Sequence, residues 1–155
     1  MLFKTLRFLS LVCAALALGL TLTHDLEIPG KHLLSGANWL AIQQSFYGGF
    51  ALVGGIAEIL GLLSTGILLL HLRKQRVALA LTLVAALCFA GMLALFAFGN
   101  NPLNQQIASW TSANLPATWQ QTRNVWDRFH AASSVLAALS LVALLRDTPS
   151  SYSTR

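Results

Sequence analysis

Four apolar stretches dominate the chain: Phe8 to Thr23, Ser45 to Leu70, Val77 to Gly99 and Ala131 to Leu145, with Glu58 the single charged residue inside any of them. A helix needs about 20 residues, at about 1.5 Å each, to cross a hydrocarbon layer. The two middle stretches suffice alone, whereas the first and last must recruit polar neighbours. Spans are therefore predicted at about 6–26, 45–70, 77–99 and 124–145, the last helix extending outward from about residue 117, just past the start signal Pro116. The pattern predicts an all-α fold, an integral membrane four-helix bundle forming one domain over residues 1–147. The polar, serine-rich stretch 148–155 reads as a disordered tail. Pro29-Gly30 is expected to break the first helix.

Composition narrows the class further. Of 155 residues, 55% are hydrophobic and only 10% charged, with a mean hydropathy of +0.65, whereas a soluble domain carries about a quarter charged residues. That charge is too sparse for a soluble globule or a disordered chain, and two cysteines cannot frame a disulfide scaffold. Lys4, Arg7, Arg73, Lys74, Arg76 and Arg146 fall on one side of a four-span arrangement, and Lys31, Arg123 and Arg128 on the other. Because basic residues are retained in cytoplasmic loops, both termini are predicted cytoplasmic and the protein is placed, multi-pass, in the inner membrane of the cell. A cleaved signal peptide is the competing reading of the first apolar stretch, with Lys4 and Arg7 as its charged region. The net charge of +5 comes largely from the cytoplasmic flanks. The partner it implies is the lipid bilayer, and nucleic acid is excluded.

Polar groups at membrane depth are costly and mark candidate sites. Counted from Arg7, Arg146 and Arg73, the residues His24, His130 and Glu58 lie about 26, 24 and 22 Å deep, nearly one level. On the last helix Arg123, Trp126, Asp127, His130 and Ser134 share one stripe, in which Arg123 and Asp127 are spaced to pair. His24 and Glu27 are spaced three apart, on one helical face. With His130 they form the weak possibility of a divalent metal site, set beside a hydrogen-bonded network without metal and beside plain interfacial charge. Glu58, among Gly54, Gly55 and Gly61, is either a buried acid of functional use or a packing carboxylate. Gln43, Gln44 and Tyr47 precede it where they could line a ligand cavity. The third span carries no charge and reads as scaffold. Cys13 and Cys88, without any Cys-x-x-Cys, read as small buried apolar residues. No Walker loop, dinucleotide fingerprint or nucleophile elbow is present, so no motif requires a cofactor.

Several elements together resemble the anthrone oxygenase-like membrane family, also called domain of unknown function 1772, in its bacterial branch. They are His24-x-x-Glu27-x-Pro29-Gly30-Lys31, Gln44 with Tyr47-Gly48-Gly49, Asn101-Pro102-Leu103-Asn104 with Trp110, and Trp119, Arg123, Trp126 and His130. The chain departs from the family's common pattern at Ser133, where many members carry arginine, and at Asp127, where glutamate is frequent. The resemblance implies a four-helix membrane bundle and, for fungal and plant-associated members, oxygenation of anthrones to anthraquinones without a dedicated organic cofactor. On that footing the chain is expected to be an oxidoreductase acting on a lipophilic aromatic or quinone-like small molecule at the outer face. His130, Arg123, His24 and Glu27 are its candidate catalytic residues; Gln44, Tyr47, Asn104, Trp110, Trp126 and Glu58 are its candidate substrate-binding residues. The alternative is a non-catalytic membrane subunit that binds lipid or quinone.

Overall fold

The structure, a computed structural model, describes residues 1–146; the tail expected at 148–155 lies outside the described residues. It is all-helical. The order is α1 (Leu2–Lys31), α2 (Gly36–Phe46), α3 (Gly48–His71), α4 (Arg76–Leu95), a π-helical turn (Phe96–Asn100), α5 (Asn101–Ala108) and α6 (Trp119–Arg146). Among the described residues four rods are long and apolar enough to cross a membrane: Leu2–Lys31, Gly48–His71, Arg76–Ala108 and Trp119–Arg146. Helix α1 packs against α3 and α6, and α4 packs against the same two, so the rods form a square with α1 and α4 on a diagonal.

Small side chains set how closely the rods approach. Ala14, Ala17, Ala57, Ala85 and Ala137 are buried together with Phe89 and Met92, as expected where helices gain little from hydrophobicity and must gain from contact. Gly61 is the sharpest case, because a Cβ there would overlap the Phe89 ring. Several hydroxyls inside the bundle find partners. Ser10 and Ser64 join α1 to α3 through their hydroxyls at 2.8 Å, and the Thr65 hydroxyl donates to the Gly61 carbonyl at 2.7 Å. Large apolar side chains such as Leu52, Ile56, Leu63, Leu87 and Leu139 stay exposed on the outside, the surface a lipid-facing bundle presents.

Two local features differ from the sequence expectation. Pro29 does not end α1; the helix runs on to Lys31, and His32 N–H still reaches the Ile28 carbonyl at 3.0 Å. So close to a helix end, proline forfeits one ladder bond, and Lys31 offsets this by pairing with Glu27 one turn back at 2.8 Å. The third rod continues beyond its apolar stretch. Its π-helical turn carries the Asn101 N–H to the Phe96 carbonyl just before Pro102, which has no N–H to extend an ordinary ladder. The rod thereby projects α5 over the end of the bundle opposite Leu2 and Arg146, here called the distal end. A cap forms there from Trp39, Leu40, Ile107, Trp110 and Trp126. Ser35 caps α2, accepting from Asn38 N–H at 3.4 Å.

Candidate functional site

Helices α1 and α6 each bring one histidine to the distal end of the bundle. The rings of His24 and His130 lie with centroids 4.3 Å apart. Trp126, four residues before His130 and so one turn away on the same face, approaches it at 4.0 Å and His24 at 5.0 Å. Tyr47, at the α2–α3 junction, meets His24 edge-on at 4.7 Å, with Phe50 at 5.2 Å. Neither imidazole has a hydrogen-bonding partner among the described residues, and the Nδ1 atom of each is buried without one.

These rings form part of the wall of a cavity of about 540 Å³, within the size range of small-molecule sites. Glycine and alanine create the space: Gly48, Ala51, Gly54 and Gly55 of α3 and Ala17 of α1 all line it. Leu20, Phe50, Phe96 and Ile107 add apolar wall, while Gln43, Asn104 and Glu58 add polar groups. The Oε1 atom of Gln43 is buried without a partner. Gln44 also lines the cavity, but its amide donates to the Ile107 and Trp110 carbonyls, both at 3.0 Å, tying α2 to the end of α5. Asn104 accepts from the Trp126 indole N–H at 2.8 Å and so fixes the tilt of that ring. The uncharged third span is thus more than scaffold, since it supplies Phe96 to the cavity wall and its extension supplies Asn104.

Glu58 faces the same cavity but lies below the imidazoles. Phe50 touches His24, and Glu58 is eight residues further along α3, about 12 Å by helical rise. Counting depth from the flanking arginines put the three groups on one level because those arginines are not level. Arg7 lies inside α1, whereas Arg73 lies beyond the end of α3.

The remaining candidates stand around the cavity rather than on its wall. Glu27 accepts from the Tyr47 hydroxyl at 2.7 Å, forms an ion pair with the Lys31 ammonium at 2.8 Å, and lies 3.9 Å from His24 Nδ1. Burial and then the Glu27 hydrogen bond raise the Tyr47 phenol above its ordinary pKa, so this group is a donor. Arg123 is buried near the cap, its Nε and Nη2 3.3 Å from Asn124 Oδ1 and its guanidinium 5.1 Å from the centre of the Trp119 ring. It does not pair with Asp127, which instead meets His32 Nε2 at 2.9 Å. Trp110 packs in the cap with Trp39 and Trp126. Among the described residues no three His, Cys, Asp or Glu side chains are grouped to hold a metal ion.

Two residues of this region escaped the sequence reading. Lys31 is buried, its ammonium 4.3 Å from the centre of the Tyr47 ring and 5.1 Å from that of Trp126. Its spacing of four from Glu27 was the available signal, hidden by the assumption that Pro29 ends the helix. His32 pairs with Asp127 across 95 positions of sequence, a contact no local pattern announces.

No curated protein and no solved structure matches the chain. The anthrone oxygenase family matches over residues 42–143, a stretch that holds Tyr47, Glu58, Asn104, Arg123, Trp126 and His130 and stops short of His24 and Glu27; the chain belongs to the anthrone oxygenase family.

Proposed function

We propose that the protein is a membrane oxidoreductase that converts the activated methylene of a lipophilic fused-ring ketone, of the anthrone type, into a carbonyl within the distal cavity. The observation that carries this reading is the pair of imidazoles, 4.3 Å apart and without hydrogen bonds to the described residues, on the wall of a mostly apolar cavity. One imidazole accepts the methylene proton, leaving an enolate. Dioxygen adds at that carbon, and loss of water from the resulting peroxide leaves the second carbonyl. One dioxygen is consumed and one water released per substrate, so no external reductant enters. The imidazolium so formed protonates the peroxide anion, and the paired imidazole removes the remaining hydrogen of that carbon as hydroxide leaves and passes the proton to it as water, the general acid–base role that positioned histidines fill. Trp126 and Tyr47 offer ring faces to a flat substrate, and Asn104, anchored by Trp126, can direct its amide N–H to a substrate oxygen. Arg123 and Trp110 have no contact with substrate in this scheme, because neither lines the cavity.

The test uses purified protein in lipid nanodiscs with anthrone, following oxygen uptake and anthraquinone absorbance above the uncatalysed background. His130→Ala and His24→Ala are each expected to lower the rate by about 10² to 10⁴-fold, and the double variant to fall little further, since groups acting as a unit are not additive. Wild-type rates in both single variants refute the scheme. Tight binding of anthrone without any turnover in the wild type favours a ligand-binding subunit instead.

A further inference from the structure

Glu58 has no part in that chemistry, yet it is the feature of the cavity that most needs a partner. It is 8% exposed, lines the cavity, and makes no hydrogen bond or ion pair among the described residues. A carboxyl group removed from water is costly unless it is hydrogen-bonded. The neighbouring wall supplies no free donor: Gly54, Gly55 and Ala17 have no polar side-chain atom, and the Thr21 hydroxyl proton is committed to the Ala17 carbonyl at 2.9 Å. One turn further along α3, the Phe89 ring fills the space left by Gly61. The distal end of the cavity, by contrast, holds both imidazoles and Gln43. The site therefore has two polar poles separated by apolar wall.

We propose that Glu58 is a specificity-determining residue that hydrogen-bonds a hydroxyl on the end of the ligand remote from the imidazoles, so that the cavity selects flat apolar molecules polar at both ends. A hydroxyl suits either form of the acid, donating to a carboxylate and accepting from a carboxylic acid. A ketone or ether oxygen satisfies only the protonated form and an ammonium only the ionised one. This inference rests on the reading of the cavity as the substrate site but not on the chemistry assigned to the histidines.

Non-reactive probes separate the two claims. Anthraquinone and a monohydroxyanthraquinone with its hydroxyl on a terminal ring are titrated into the nanodisc-embedded protein, and binding is read from tryptophan quenching. The wild type is expected to prefer the hydroxylated probe by about tenfold, the scale of one hydrogen bond to an acidic group. Glu58→Leu should abolish that preference while binding plain anthraquinone at least as well as the wild type. Glu58→Gln, an isostere that donates and accepts, should keep part of it and controls for folding. A wild type that binds both probes alike, or a preference that survives in Glu58→Leu, overturns the role of Glu58 and leaves the proposed reaction standing. Failure of the wild type to bind either probe overturns both.

Discussion

The Glu27–Lys31 pair allows an asymmetry to be worked out before measurement. The two side chains meet at 2.8 Å, but Lys31 is 5% exposed and Glu27 38% exposed. Removing the carboxylate by Glu27→Gln strands an ammonium in a nearly dry site, between the rings of Tyr47 and Trp126. Uncompensated buried charges cost about 3–5 kcal/mol, and the neutral amide oxygen left behind keeps this case near the lower end. Removing the ammonium by Lys31→Met leaves a carboxylate that water already reaches and that still accepts from Tyr47 at 2.7 Å. Its cost is the modest strength of a solvated ion pair, about 1 kcal/mol or less, plus a cation–π contact of about 0.5–1 kcal/mol. The double variant strands nothing, so it should resemble Lys31→Met, at about 1–2 kcal/mol against a sum of about 4–5. Reversible unfolding in bicelles, monitored by steric trapping, gives the three free energies. Equal losses in the two single variants, or simple additivity in the double one, would refute the assignment of Lys31 as the buried partner.

Two further outcomes follow from the geometry. Gly61→Ala drives a Cβ into the Phe89 ring and should cost about 1–3 kcal/mol through overpacking, with Phe89→Leu in the same chain recovering most of the loss in an unfolding titration. The Tyr47 phenol, raised from its ordinary value of 10.0 by burial and by Glu27, holds its proton longer in the folded than in the unfolded chain. Its contribution to stability is therefore complete below pH 10.0 and lost as pH rises above it. The phenolate absorbance difference between wild type and Tyr47→Phe should stay flat through that pH while the fold persists; a Tyr47 phenolate signal appearing at its ordinary value would contradict the buried hydrogen bond.

Much of the bundle was legible because the bilayer forces it. Apolar stretches of sufficient length have few alternatives to spanning helices, and the only acid within them, Glu58, does line the cavity. The stripe on α6 was legible too, since helical period alone puts Trp126 and His130 on one face. What local pattern could not supply was the pairing of partners. Arg123 and Asp127 have ideal spacing for an ion pair, yet Asp127 turns to His32, brought in by the chain that follows α1. Gln44 lines the cavity, but that its amide also donates to the Ile107 and Trp110 carbonyls of the cap was not announced by its place in the sequence. Helix ends misled for a related reason: Pro29 and the run before Pro102 carry breaker signals, and tertiary packing holds helical geometry through both. The extension of α1 is what carries Lys31 to the two rings, and the extension past α4 is what carries Asn104 to Trp126.

The distribution of satisfied and unsatisfied polar groups gives the site its strongest physical outline. Deep in the bundle, Ser10, Ser64, Thr21 and Thr65 each find a carbonyl or a second hydroxyl. These short side chains can bond back to their own helix, which makes them cheap to bury. An imidazole, a carboxyl or a glutamine amide held off its own backbone has no such recourse and needs a group from outside its helix. His24 Nδ1, His130 Nδ1 and Gln43 Oε1 are buried without a partner and belong to residues of the cavity wall, and Glu58, 8% exposed on the same wall, makes no hydrogen bond or ion pair among the described residues. Buried atoms without a hydrogen-bond partner also occur off the cavity wall: on Ser134 and Ser140, whose hydroxyls need only a rotation about χ1 to reach a carbonyl one turn back, on the Trp39 indole, and on one atom each of Asp25, Lys31, Arg123 and Asp127. Four groups of three chemical types, drawn from α1, α2, α3 and α6, converge on one space that small residues keep open. Packing alone would have favoured filling that space with leucine. An open space walled by these groups is the physical argument behind the proposed polar-ended ligand.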